Sequence, residues 1–258
     1  MFSNIMTALL LSMQSQLLYP FDTAPAQSRF FETVAYRGHD GLTLQAWRRL
    51  QDDPEAPLVV YFMGNGGSLA LFEEALKLHL SEGHSVVAMG YRGGGGNPGE
   101  PSEEALKADA LAFFDAIPGM TQGRASPRQV HLHGFSLGAG LGLHVAANRD
   151  VASVILESAP PKVCEVAEYQ TRGKVPACER MTTDRWDNVA LLDLIGEPVL
   201  ALHGTEDLIV PFALGERFGR RVEASGGRFV SLPGAGHNNG LWSGGMGEIA
   251  AWIGSKGQ

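Results

Sequence analysis

The chain alternates between short unbroken apolar runs and longer stretches in which apolar residues return every three or four positions. Leu58-Val59-Val60-Tyr61-Phe62-Met63 is the clearest run. A strand that is apolar on both faces is what a parallel sheet covered by helices needs. Comparable runs lie at Ser85–Tyr91, Gln129–His133, Ala152–Leu156, Pro198–Gly204 and Arg228–Leu232. Between them come helical patterns, first Leu69, Phe72, Leu76 and Leu80. A second helix starts with Ser102 as N-cap and Glu103 and Glu104 in its first turn, and should stop near Ile117, before Pro118-Gly119. A last helix ends near Ile253. Strands alternating with helices predict an α/β fold, with a mostly parallel central sheet and helices on both faces, as one domain over 1–258.

Three segments break the alternation. Thr33–Tyr36 and Leu42–Trp47 have period two and flank Gly38-His39-Asp40-Gly41, a hairpin in which His39 is expected to be an ordinary exposed turn residue. Within residues 1–29, Phe2, Ile5, Met6, Leu9, Leu10, Met13 and Leu17 follow the spacing of an amphipathic helix. No Lys or Arg precedes Arg29, and the run is too short to span a bilayer. That helix is expected to pack on the body or on another subunit, with a weak membrane-surface contact as the lesser alternative. Residues 158–196 lose regular patterning and read as an insertion, either a small lid that sets specificity or a plain surface connection.

Composition narrows the partners. Charged residues make up 19% of the chain and hydrophobic ones 44%, as in ordinary globular proteins, and the net charge of −8 argues against nucleic acid. Cys164 and Cys178 are too few for a disulfide framework and lack metal-ligand company. Two free thiols in the cytoplasm are expected, one disulfide being the alternative. The loop Gly64-Asn65-Gly66-Gly67-Ser68 follows a strand, but the dinucleotide fingerprint fails at its third glycine and no Gly-Lys-[Ser/Thr] is present. No cofactor or metal is expected.

The candidate chemistry centres on Gly134-Phe135-Ser136-Leu137-Gly138. G-x-S-x-G between a strand and a helix makes a strained turn that presents the serine at the strand's carboxyl end. A serine hydroxyl needs a base, and an imidazole base needs a carboxylate to fix its tautomer. Asp207 and His237, each in a loop just past an apolar strand, supply both in the order Ser, Asp, His. Glu157, closing the strand Ala152–Leu156, is the alternative acid. His203, His131, His133 and His144 are expected to be structural, and so is Arg92.

With these motifs, together with Tyr91-Arg92-Gly93, Pro101-Ser102-Glu103-Glu104, His203-Gly204-Thr205-Glu206-Asp207, Val210-Pro211 and Gly234-Ala235-Gly236-His237-Asn238, the chain resembles the α/β-hydrolase family from about Thr33 onward. It looks most like the small-lid serine hydrolases that include membrane-anchored esterases and protein depalmitoylases. The resemblance implies Ser136 as nucleophile, Asp207 as acid and His237 as base, with the backbone amides of Leu137 and Asn65 as oxyanion hole. It implies a small ester, thioester or otherwise acylated substrate. Peptidase or carbon–carbon-bond hydrolase chemistry, or an inactive binding protein on the same scaffold, would use the same residues. Met63-Gly64 stands where the family usually has His-Gly, and a membrane anchor is missing from the pattern.

Overall fold

The computed structural model describes residues 14–124 and 126–256. The amphipathic spacing expected over residues 2–13 therefore lies outside the described residues, and only a short helix α1, Gln14–Leu18, borders it. Every apolar run singled out above becomes a strand. β1 (Glu32–Arg37) and β2 (Thr43–Arg49) form the hairpin, followed by β3 (Leu58–Phe62), β4 (Ser85–Met89), β5 (Val130–Phe135), β6 (Ser153–Glu157), β7 (Val199–Gly204) and β8 (Arg228–Leu232). The sheet order is β1-β2-β4-β3-β5-β6-β7-β8, antiparallel where β2 meets β1 and β4 and parallel elsewhere. β3 to β7 are buried along their whole length, which is why they carry no polar alternation.

Helices cover both faces. α2 is Glu73–Ser81, α3 Glu103–Met120, α4 Gly138–Ala146, α5 Val163–Gln170, α6 Ala177–Arg180, α7 Asn188–Leu192, α8 Phe212–Ala224 and α9 Gly245–Lys256. Alternation along β6 divides the core: Val154 and Leu156 join the cluster with residues of α3, α4 and α8, while Ile155 joins the cluster with Ile249 and Trp252 of α9. Two helices depart from expectation. α3 runs through Pro118 to Met120, because a proline in the last turn forfeits few helical hydrogen bonds, and Thr121 N–H still reaches the Ile117 carbonyl at 2.9 Å. α8 adds an amphipathic helix that buries Leu214, Phe218 and Val222, where no helix is predicted from the sequence.

Two small networks correct the sequence reading. Cys164 and Cys178 are not free thiols but a disulfide joining α5 to α6, with Val175, Ala177 and Met181 packed round it. An insertion with so little core of its own gains most from a covalent tie. His39 is exposed, yet it is more than a turn residue. Its Nδ1 lies 2.7 Å from Asp109 Oδ1, and Arg92 donates to both Asp109 oxygens at 2.6 and 2.8 Å and to Asp40 at 3.0 Å. Asp109 is buried, so the guanidinium supplies the pairing that a buried carboxylate requires. Arg92 thus has the structural role expected of it.

On the α9 face runs a stripe of buried histidines. His131 Nδ1 is 2.8 Å from Ser153 Oγ, His133 Nδ1 is 2.9 Å from His79 Nε2, and His79 Nδ1 is 3.3 Å from His84 Nδ1. Burial lowers His84 and His131 to about 4, and burial with three neighbouring imidazoles drives His79 well below its ordinary value. In the unfolded chain these rings protonate near 6.5, so between that pH and about 4 the unfolded state binds more protons. Stability therefore falls as pH drops through this window. The thermal midpoint should decrease by about 5 °C or more between pH 7 and pH 5, and a flat profile would contradict neutral His79, His84 and His131. Separately, reducing and alkylating Cys164 and Cys178 should cost about 3 kcal/mol for a loop of this size, seen as a lower thermal midpoint; an unchanged midpoint would mean the bond contributes nothing.

Candidate active site

The turn after β5 is built by its small residues. Ser136 has φ of 52°, in the left-handed region that a non-glycine residue occupies only when its surroundings hold it there. Its N–H donates to the Glu157 carbonyl at 2.8 Å, tying the turn to the end of β6. A Cβ on Gly134 would stand 2.5 Å from the Ala139 Cα, and one on Gly138 would collide with the Phe62 carbonyl oxygen. Strand, turn and helix can cross this closely only without those side chains.

The structure brings Ser136, His237 and Asp207 together. Ser136 Oγ is 3.0 Å from His237 Nε2, and His237 Nδ1 is 2.7 Å from Asp207 Oδ2. Asp207 is buried, and its Oδ1 accepts the N–H groups of Ile209 at 2.9 Å and Val210 at 2.8 Å. Burial alone would raise its pKa; the donors from His203 and His237, with the Val210 amide, outweigh that and hold the carboxyl well below the usual range. His203 is buried as expected, but it is also part of this network: its Nε2 lies 2.8 Å from the Val210 carbonyl and 3.3 Å from Asp207 Oδ2. Glu157, the alternative acid, does not contact His237 through a hydrogen bond; its Oε2 faces His133 Nε2 at 3.3 Å.

Among the described residues, no protein acceptor takes the amide hydrogens of Leu137 or Asn65. Asn65 lines the cavity beside His237. Its loop is held from outside by a strap that precedes β1, in which Asp22 N–H donates to the Gly66 carbonyl at 3.2 Å. The strap also reaches the insertion. Tyr19 Oη donates to Asp184 Oδ1 at 2.6 Å and accepts from Trp186 Nε1 at 3.0 Å, while Trp186 packs against Gly140 of α4. Neither Tyr19 nor Asp184 stands out in the sequence, because contacts between such distant positions leave no local pattern.

The cavity beside His237 measures about 330 Å³ and is walled by Leu71, Phe72 and Ala75 before and within α2, by Phe135, and by Leu241 and Trp242 after His237. The insertion, one expectation for which was to set specificity, contributes no residue to it. It does touch the loop after Asp207, where Gln170 donates to the carbonyls of Leu208 and Ile209 at 2.7 and 3.2 Å.

Comparison with known proteins agrees with the fold. Residues 57–185 match the family model described as the alpha/beta hydrolase fold. The chain belongs to that family. It is 32% identical over 235 residues to an uncharacterized protein of Mycobacterium tuberculosis, covering 88% of this chain and 82% of the relative. It is 26% identical over 264 residues to an uncharacterized membrane protein of Saccharomyces cerevisiae, covering 96% and 90%. Among solved structures, an esterase of Pyrococcus furiosus superposes with a TM-score of 0.73 at 15% identity, over 93% of this chain and 99% of that one, a likeness of fold. Among the described residues of this hydrolase, no helix is long and apolar enough to cross a membrane.

The close crossing at the turn has a measurable consequence. Gly138→Ala should lower unfolding free energy by about 1–3 kcal/mol in urea titrations, since the methyl group must displace the Phe62 carbonyl. Wild-type stability in that variant would mean the crossing is looser than described.

Proposed function

We propose that this hydrolase cleaves a carboxylic ester or thioester through an acyl-enzyme on Ser136. The supporting observation is the continuous chain from Ser136 Oγ to His237 Nε2, 3.0 Å, and from His237 Nδ1 to Asp207 Oδ2, 2.7 Å, starting from a residue held in a strained turn. In this reading His237 Nε2 takes the hydroxyl proton as Oγ attacks the carbonyl carbon. The negative charge moves to the carbonyl oxygen, where the Leu137 and Asn65 amides stabilise it. Collapse of the intermediate breaks the bond to the leaving group, which receives the proton from His237. Water, deprotonated by the same imidazole, then attacks the acyl-enzyme and frees Ser136.

Asp207 keeps the His237 proton on Nδ1 and offsets the charge of the imidazolium. Its amide donors and His203 hold it ionised for that task. The oxyanion amides support the reading by being free of protein acceptors among the described residues. The cytoplasmic placement expected from the sequence requires the Cys164–Cys178 pair to be reduced, whereas the intact bond fits an oxidising compartment. Differential alkylation of the protein in its native cells separates the two.

Ser136→Ala should abolish hydrolysis of p-nitrophenyl acetate and labelling by a fluorophosphonate probe, with the thermal midpoint retained. Asp207→Asn should reduce turnover by about 10⁴-fold through the wrong His237 tautomer. Wild-type protein that neither hydrolyses esters nor takes the probe would instead be a binding protein on this scaffold. Ester cleavage persisting in Ser136→Ala would remove the nucleophile assignment.

A further inference from the structure

One buried carboxyl group in the cavity is not used by the proposed chemistry. Glu157 ends β6 and is 3% exposed, and it lines the cavity beside His237. The depth of this cavity is marked by exposure: Leu71 and Trp242 at its rim are 63% and 56% exposed, whereas Glu157 and Tyr61 are 3% and 1%. The walls between are apolar, with Phe72, Ala75, Phe135 and Leu241. An alkyl chain entering this space would slide past compatible walls and end against a carboxyl group.

That carboxyl group lacks the partners a buried carboxylate normally has. Among the described residues no donor is hydrogen-bonded to it. His133 Nε2 lies 3.3 Å from Oε2 but is misaligned, and that nitrogen is itself buried without a hydrogen-bond partner. Behind His133 stand His79 and His84, both held neutral near physiological pH by burial. On the other side, backbone closes in, since a Cβ on Gly240 would stand 2.9 Å from Oε1. Among the described residues no Lys or Arg lines the cavity. Asp207 shows the contrast: its carboxylate receives two amides and His237. The Glu157 oxygens are not among the fully buried unpaired atoms, so a donor has room to reach them from the cavity, and a bound molecule that brought none would leave them without hydrogen bonds at a cost.

We infer that Glu157 is a specificity-determining residue that accepts a hydrogen bond from a substrate carrying a hydroxyl or ammonium group at the far end of an otherwise apolar chain. The inference rests on the hydrolase reading above and adds the class of substrate to it. Tyr61, at the same depth, also lines the cavity. A plain alkyl ester of equal length leaves the carboxyl group buried and unpaired, so the site should discriminate against it.

The experiment compares kcat/KM for p-nitrophenyl hexanoate, ω-hydroxyhexanoate and ω-aminohexanoate. Hexyl and ω-hydroxyhexyl acetates test whether the leaving alcohol occupies the cavity instead. Wild-type protein should prefer a donor-bearing ester over its alkyl counterpart by at least about tenfold in one of the two series. Glu157→Leu should invert that ratio. Glu157→Gln should keep a hydroxyl preference and lose an ammonium preference, which identifies the donor. Ratios within one variant cancel any general loss of activity, and the wild-type ratio decides even if Glu157→Leu fails to fold. Equal or better use of the alkyl esters by wild-type protein overturns the inference, as does an unchanged ratio in Glu157→Leu. Absence of hydrolysis of every ester, p-nitrophenyl acetate included, would instead overturn the hydrolase reading itself.

Discussion

The arrangement depends on how closely β5, the Ser136 turn and α4 can approach β3. At Gly138 the helix starts against the Phe62 carbonyl, and at Gly134 the strand ends against the Ala139 backbone. That crossing forces Ser136 into a positive φ and lifts its hydroxyl out of the sheet toward His237. The amide of Leu137, first in line after the serine, is left without a protein acceptor by the same bend. The flanking strands are then constrained in turn, because the Ser136 N–H is anchored on the Glu157 carbonyl of β6. One steric constraint thus sets the candidate nucleophile, one candidate oxyanion donor and the position of Glu157.

A second constraint is electrostatic. The two carboxyl groups near the site have opposite surroundings. Asp207 receives amides and imidazoles and sits below the usual carboxylate range, whereas Glu157 faces a histidine nitrogen that fails to bond it and an open cavity. The first environment suits a permanent partner for His237. The second leaves room for a donor brought by a bound molecule, as the inference above requires. Their separate roles follow from the donors around each group and not from residue type.

Much of this was legible in the sequence because it is local. Buried parallel strands announce themselves as unbroken apolar runs such as Leu58–Phe62, and the G-x-S-x-G turn is carried within five residues. The spacing Ser136, Asp207, His237 followed from each lying just past a strand, and the geometry brings all three together. What stayed hidden joins distant positions. The cavity wall from Leu71 to Trp242, the Tyr19–Asp184 bond and the role of His203 beside Asp207 all depend on three-dimensional juxtaposition. The Cys164–Cys178 bond spans only 14 positions, but two cysteines at that spacing also read as free thiols in a reducing compartment. α8 was missed although Leu214, Phe218 and Val222 keep helical spacing, a local signal that was present.

The strap before β1 has a consequence for how the chain assembles. Its contact with Gly66 spans a modest length of chain, but Tyr19 bonds Asp184 and Trp186 across sequence separations of 165 and 167. Closing loops that long is entropically unfavourable until the sheet between them has already formed. During synthesis the strap has no Asp184 or Trp186 to meet until well over half of the chain has emerged. The buttress behind the glycine loop and the insertion is therefore a late event in folding, fastened over a turn that local sequence had already shaped.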